Sequence, residues 1–543
     1  MKISFSFENL KKNRLLLIWA NLLFFAILIV IAYSNIFAKP LASYYADETI
    51  FSEIKKSRNE SQKSLVDKIY FNNNKLFKDE LSQNWYYSIV EGDKNAYTPK
   101  INFFSKQGVR VYVLNEEFSS KSVLENKHIK LIAYDKKNYN TFEIIPTTLP
   151  LMNVTEDKVY IFDNRKNVSQ RSYTLTSNWR YRGRMSMDYP KKGLRIKLRT
   201  YSLGNHLRKS ERSLFGMSAK SDYNLYANYT DLTKVKQVFG SELWSNCCSM
   251  NNSFDIKNGY ESRFLELFLG NCYYGLYSIT YPVSKEMMNL HENEFLYKKR
   301  YFYDEYEVKG GDLRKQKDAI KYIVDFQNIF IPQNTKYSNE FLYNVTDIKN
   351  SVDMWLFVNF VQGWDQARGY DVSNHFLTRK KSNKGYKMLY TPWDFDFTWG
   401  DCWGRGEKNN VKNNVYKYDE NFIMRSNVVY LLLELNDPKI KELIKKRYNE
   451  LRKTSWSDET LNNMLDNYEE KVIYSGAYYR DLKRWPNSTY ADNPKYIMNE
   501  FRKYVLKRAH YTDIFIEKIT TPSSKVSDWM YPGIYTNVYT NLF

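Results

Sequence analysis

Tyr390-Thr391-Pro392-Trp393-Asp394-Phe395-Asp396-Phe397-Thr398-Trp399-Gly400 sets two carboxylates two residues apart in a bulky aromatic run that ends in glycine. In an extended segment, positions i and i+2 project to the same side. The spacing therefore predicts Asp394 and Asp396 on one face, with Phe395 and Phe397 turned the other way into a core. Two carboxylates presented together repel each other unless a proton or a cation lies between them. A hard divalent ion such as Mg²⁺ meets that need, because it takes oxygen ligands and usually nucleotide phosphates as well. The same spacing also occurs in strands whose acids simply face water, so the pair acquires meaning only from the rest of the chain.

The chain has 543 residues, 43% of them hydrophobic and 17% aromatic, which is enough for a real core and excludes a disordered polymer. Its 81 Lys and Arg against 61 Asp and Glu leave a formal charge of +20. That excess favours acidic partners: phosphate-rich ligands, anionic membrane or envelope polymers, or nucleic acid. The positive residues are spread over the whole chain, and no RNP-type motif, zinc-finger spacing or helix-turn-helix pattern singles out nucleic acid, which is disfavoured as a partner. Cys247, Cys248, Cys272 and Cys402 lack C-x-x-C spacing, which argues against structural zinc. They are compatible with one or two disulfides or with buried thiols. His291-Glu292 lacks the second histidine of a zincin, so metal catalysis through His is disfavoured.

Leu15 to Tyr33 is apolar apart from Asn21 and follows Lys2, Lys11, Lys12 and Arg14. Nineteen helical residues rise about 28 Å, close to the hydrocarbon thickness of a bilayer. The basic flank 1–14 is expected on the cytoplasmic side, and a signal-anchor at 15–33 puts the remainder outside. A cleaved signal peptide, giving a secreted protein, is the rival reading. Residues 34–100 are polar and read as a stalk or spacer. Main-domain strands are expected at Val109–Val113, His128–Tyr134 and Leu194–Leu198, and Phe264–Ile279 reads as a hairpin. Helices are expected over Ser351–Gln362, Pro438–Ser455, Asp458–Val472 and Asn493–Ile516. Strands first and helices later give an α+β domain over 101–520, with a β-rich lobe to about 285, a helical lobe from 286, and a short tail at 521–543.

Four further segments carry chemistry. Arg182-Gly183-Arg184-Met185-Ser186 leads through Pro190-Lys191-Lys192-Gly193 into the basic strand Leu194-Arg195-Ile196-Lys197-Leu198. A small-residue turn before such a strand can cover phosphates with backbone N–H groups and set a lysine beside them. Asp231 stands where a helix over Thr233–Trp244 needs a cap. Glu266 is fixed on the hairpin Glu266-Leu267-Phe268-Leu269-Gly270-Asn271-Cys272-Tyr273-Tyr274-Gly275-Leu276-Tyr277. Last, Asn359 to Asp365 and Asn374-His375-Phe376-Leu377 run on into the opening pair.

This set, in this order, resembles the CotH kinase family, atypical protein kinases named for a spore-coat protein, over about residues 145 to 518. The family's R-G-N-S-S…P-K-K…I-K-L segment corresponds to Arg182-Gly183…Pro190-Lys191-Lys192…Ile196-Lys197-Leu198. Its E-L-x-L-N-G-x-Y-x-G-x-Y hairpin corresponds to Glu266–Tyr277, and P-W-D-x-D-x-T-x-G to Pro392–Gly400. The resemblance implies an atypical protein-kinase-like fold with ATP held between a β-rich N-lobe and a helical C-lobe. It implies ATP and Mg²⁺ (or Mn²⁺) as cofactors, and a protein acceptor with Ser or Thr.

By the same resemblance, Lys197, or alternatively Lys192, meets the phosphates, near Arg182, Gly183, Ser186 and Glu266. Asp394, Asp396 and Asn374 hold metal, and Asp365 or Asp371 serves as base. Three departures stand out. Arg184-Met185-Ser186 replaces Asn-Ser-Ser, Gly270-Asn271 inverts the usual turn, and Ile279-Thr280-Tyr281-Pro282 lacks the acid expected after the hairpin. They support an alternative: a surface scaffold or adhesion protein with impaired catalysis that binds an anionic polymer or receptor through its basic face.

Overall fold

The computed structural model describes residues 41–42, 44–71, 74–92, 101–105, 108–114, 127–201, 207–299, 306–331, 336–367, 373–400, 423–488 and 492–525. The contacts divide the chain into two units. The first takes in residues up to 87, 94–122 and 127–146. The second holds 88–93, 123–126 and everything from Thr147.

The first unit contains short strands where composition suggests a polar spacer. Val66–Phe71 pairs antiparallel with Ile101–Ser105, and Arg110–Leu114 and Asn138–Thr147 flank Ile129–Tyr134. Ile69, Phe71, Phe103, Leu131 and Ile132 are fully buried. The alternation that sequence assigns to the start of the main domain at 101 thus belongs, up to residue 146, to a smaller unit with its own core. The apolar run 15–33 and the tail beyond 525 lie outside the described residues. Among those that are described, no helix is long and apolar enough to cross a membrane.

The second unit begins with an eight-stranded sheet. In chain order the strands are β1 (Leu151–Val154), β2 (Lys158–Phe162), β3 (Ser172–Arg182), β4 (Gly193–Tyr201), β5 (Leu207–Lys209), β6 (Asp222–Tyr226), β7 (Ser262–Leu269) and β8 (Cys272–Thr280). Their order is β3-β2-β1-β7-β8-β6-β4-β5, and because β3 also pairs with β4 the sheet closes into a barrel. On β4, Leu194, Ile196 and Leu198 are fully buried, while Arg195, Lys197 and Arg199 alternate with them on the other face. The β7–β8 hairpin turns through Gly270 and Asn271, both at positive φ (60° and 64°). That is the backbone of a type I′ turn, and the inverted Gly-Asn order satisfies it. Asn153 on β1 clamps the turn through Asn271, donating from Nδ2 at 2.6 Å and accepting the backbone N–H at 3.2 Å.

Between β6 and β7 lies α1 (Lys236–Cys247). Its start is capped as the sequence suggests, though from a distance: the Asp231 carboxylate accepts from the N–H groups of Thr233 and Lys236, both at 2.9 Å. An antiparallel four-stranded sheet follows, built from β9 (Phe295–Lys299), β10 (Glu307–Gly310), β11 (His375–Ser382) and β12 (Gly385–Pro392) in the order β10-β9-β11-β12.

The remainder is mostly helical: α2 (Gln316–Asn328), α3 (Asn339–Val345), α4 (Ile348–Val361), α5 (Trp364–Ala367), α6 (Val428–Glu434), α7 (Pro438–Arg452), α8 (Asp458–Glu469), α9 (Ala477–Arg484) and α10 (Pro494–Thr520). Helix α4 starts three residues earlier than its apolar pattern indicates. Asp347 caps it, and Asp353 sits deeper in the helix, buried against the Arg447 guanidinium. One hydrophobic core runs continuously from the barrel through α1 and α4 into α10. The architecture is α+β, with a β-rich N-terminal half that includes a barrel and helices concentrated towards the C-terminus. Cys247, Cys248 and Cys272 are thiols, and Cys402 lies outside the described residues.

His375, at the start of β11, is fully buried; its Nδ1 faces the Ser373 carbonyl at 3.1 Å and its Nε2 the Tyr306 hydroxyl at 3.1 Å. Burial drives its pKa down to about 4 against the Ser373 hydrogen bond, with Lys299 adding to the fall. The unfolded chain, titrating near 6.5, therefore binds the extra proton first, and stability is complete above that pH and lost as pH falls towards 4. Urea unfolding of the wild type is expected to lose roughly 2 kcal/mol between pH 7.5 and 5 from this group. The same titration of His375→Gln should lack that component; an equal loss in both proteins would rule it out.

Candidate active site

Strand β12 ends at Pro392, and the chain then leaves the sheet. Asp394 adopts a left-handed backbone (φ 66°), so the acidic pair is not the extended segment that its spacing suggests. A non-glycine residue in this region costs on the order of 1 kcal/mol and persists only where its surroundings impose it. Here they do. The side-chain amide of Gln366 on α5 donates to the carbonyls of Trp393 and Asp394, both at 2.8 Å, and of Asn374 at 3.2 Å. The Phe395 N–H donates to Oε1 of Gln237 on α1 at 3.1 Å. Phe395 is buried as expected and packs over Gly240, where a Cβ would meet its ring at 2.5 Å. Phe397, expected in the core, is only half-buried and lines a cavity.

The bent loop still brings the carboxylates together. The Asp396 carboxyl is pushed well above its usual range, by burial first and then by the charge of and hydrogen bond to Asp394, with Asp365 adding to the effect. Asp365, on α5, is buried, and its Oδ2 accepts from the Asn374 side-chain amide at 2.7 Å. Asn374 also has positive φ (51°), and the Trp393 N–H donates to its carbonyl at 2.9 Å. Asp365, Asn374, Asp394 and Asp396 thus converge from α5, the entry to β11 and the exit of β12. Asp371 lies outside the described residues.

These side chains line a cavity of about 840 Å³ that reaches the barrel. Another wall is the turn after β3, with Arg182, Gly183, Arg184 and Ser186. Gly183 has φ +131°, and a Cβ there would fall 2.0 Å from the Ser186 Oγ, so the turn requires glycine. The Arg182 guanidinium lies 4.5 Å over the Tyr226 ring. Burial and then Asp394 raise the Tyr226 hydroxyl far above its usual pKa, with Arg182 opposing and Asp396 adding. Tyr226 therefore stands between the arginine turn and the acidic pair. Lys298 on β9 also lines the cavity, its ammonium 5.1 Å over Phe376 and 5.3 Å over Trp393.

Three sequence candidates lie elsewhere. Lys197 is on the half-buried face of β4 and does not line the cavity. Lys192 turns its ammonium back to the carbonyls of Met187 and Tyr189, holding the turn. Glu266 is buried in an ion pair with Arg480 of α9. Of Lys191, Lys192 and Lys197, it is Lys191 that lines the cavity, fully buried and paired with Asp481 at 2.7 Å. Its acidic partner comes from α9, not from the segment after the hairpin. Nothing local in the sequence marks Asp481, Gln366 or Gln237, because each acts on a segment distant in the chain.

The donor set suits a small hard cation. Two neighbouring carboxylates, with an amide beside them, leave the remaining positions to phosphate oxygens and water, the arrangement Mg²⁺ prefers. Among the described residues no group of three or more His, Cys, Asp or Glu side chains is arranged to hold a metal ion.

Gly240→Ala isolates the packing that supports the loop. Alanine gains up to about 1 kcal/mol in helix propensity, whereas overpacking against the Phe395 ring costs about 1–3 kcal/mol. The expected result is net destabilisation in urea unfolding together with weaker Mn²⁺ binding. Unchanged stability and binding would show that the loop does not depend on this contact.

No curated protein matches the chain. The family model described as CotH kinase protein matches residues 179–512, a span that takes in more than half of the chain and every cavity residue named above. The chain belongs to the CotH kinase protein family.

Proposed function

We propose that this protein is a membrane-anchored kinase that transfers the γ-phosphoryl group of ATP to a Ser or Thr hydroxyl of a surface or coat-like protein. The observation that carries this reading is the contact between Asp394 and Asp396 on the wall of a cavity also walled by the Arg182–Ser186 turn. Asp394 and Asp396 would hold Mg²⁺ or Mn²⁺, with Asn374 beside them. When bound, such an ion neutralises phosphate charge and orients the terminal phosphoryl group.

The chain's own groups do the rest. Asp365, oriented by Asn374, accepts the proton of the attacking hydroxyl as its oxygen forms the new P–O bond and ADP departs with the old one. Asp371 is the alternative base. Arg182 and Lys298, from different strands of the cavity wall, meet the phosphates. Lys191 is left out of that role, since its ammonium already donates to Asp481, Ala227 and Leu276. The N-terminal apolar run would anchor the protein with this unit on the outer side of the membrane, where its positive charge favours anionic envelope polymers.

Membership in the family suggests a phosphotransferase, and two measurements test the activity. ATP should raise the thermal midpoint by several degrees only when Mg²⁺ or Mn²⁺ is present, and the wild type should autophosphorylate. Asp394→Ala should abolish both, and an active Asp394→Ala protein would sink the proposal. Asp365→Asn should lower kcat by about 10²–10⁴-fold while leaving the nucleotide KM within a few-fold; an unaffected kcat removes Asp365 as base.

A further inference from the structure

The segment Ala227–Asp231 forms part of the cavity wall and is suspended from two buried ammonium groups. Lys191 donates to the Ala227 carbonyl at 2.6 Å and to the Leu276 carbonyl of β8 at 2.7 Å. Lys234 donates to the carbonyls of Asn228 at 2.9 Å and Tyr229 at 3.2 Å. Both lysines are almost completely buried. Burial opposes both charges, lowering the Lys234 pKa to about 8, and Asp481 counters that opposition at each lysine.

Asp481 reaches this point from α9, an element otherwise remote from the nucleotide side of the barrel in sequence. Its Oδ1 accepts from Lys191 at 2.7 Å and from the Leu276 N–H at 2.9 Å. Gly275 makes room for it: its φ is +122°, and a Cβ there would fall 2.2 Å from Oδ1. Neighbouring contacts hold α9 in the same register. Arg480 pairs with Glu266, the Arg484 Nε donates to the Tyr273 carbonyl at 3.1 Å, and the Trp485 indole N–H donates to the Tyr274 carbonyl at 2.7 Å. A π-helical turn at Glu470–Tyr474 and Gly476 at φ 77° redirect the chain just before α9.

We propose that Asp481 is a positioning residue for the cavity: from α9 it balances Lys191 and Lys234, so that docking of 477–485 onto β8 fixes the wall 227–231 and sets the affinity for nucleotide. The role in affinity rests on the nucleotide reading given above; the role in wall order does not.

The test uses the full chain and two variants. Asp481→Asn removes the balancing charge and leaves Lys191 buried without it, which is costly. Trp485→Phe removes only one anchor of α9 and serves if the first variant does not fold. Amide hydrogen exchange of peptides covering 226–235 is expected to accelerate at least tenfold in the variants, with α10 unchanged. KM for MgATP should rise at least fivefold, with kcat altered less than twofold. Exchange at 226–235 equal to wild type in a folded variant overturns the positioning role, whatever the kinetics. Faster exchange with unchanged KM overturns the link to affinity. A wild type with no metal-dependent ATP shift overturns the nucleotide reading and the affinity role together, leaving wall order to stand or fall on exchange.

Discussion

The closeness of two carboxylates governs this structure. Side by side in a half-buried loop, Asp394 and Asp396 repel each other, and the fold has to supply the support that keeps them there. It does so chiefly with uncharged groups: the amide of Gln366 across three carbonyls, the amide of Gln237 on one N–H, and the Phe395 ring seated over Gly240. The cationic groups stand further off, and Arg182 acts across Tyr226. Support of this kind leaves the carboxylates' own lone pairs for a cation and suits a site that exchanges its ligand.

Behind the loop, the same economy appears in the scaffold. The Tyr390 carbonyl accepts from the side-chain amides of Asn258 at 3.0 Å and Asn350 at 3.1 Å, and Asn350 also receives the Tyr390 N–H at 2.7 Å. The strand exit is thereby tied to α4 and to the segment before β7 through backbone atoms. The Asn350 amide is paired at both ends, a buried polar group that specifies one arrangement of the core, and the geometry of the acidic loop inherits that definition.

Legibility in the sequence followed the range of the interaction. Helices α7, α8 and α10 carry long apolar periodicities and local caps, so their patterns can be read directly. The β7–β8 hairpin announces itself through Gly270-Asn271. The acidic pair was visible as a spacing, but its backbone was not, because the left-handed turn at Asp394 is imposed by Gln366 and Gln237 from other elements. Lys191, Lys192 and Lys197 are indistinguishable by composition. Strand alternation turns Lys197 away, and only the distant Asp481 identifies the buried one. The polar stretch after residue 44 conceals short strands, since strands of two to six residues carry too few apolar positions to stand out from a spacer.

Closure of the barrel has a consequence for the company this protein keeps. A sheet joined to itself through β3 and β4 offers few unpaired backbone groups to a neighbouring molecule, and stray strand pairing is the common route to aggregation. In the four-stranded sheet of the same unit, β10 forms one edge. That strand is four residues long and carries Glu307 and Lys309, paired with each other. Short length and paired charge make a poor template for a foreign strand.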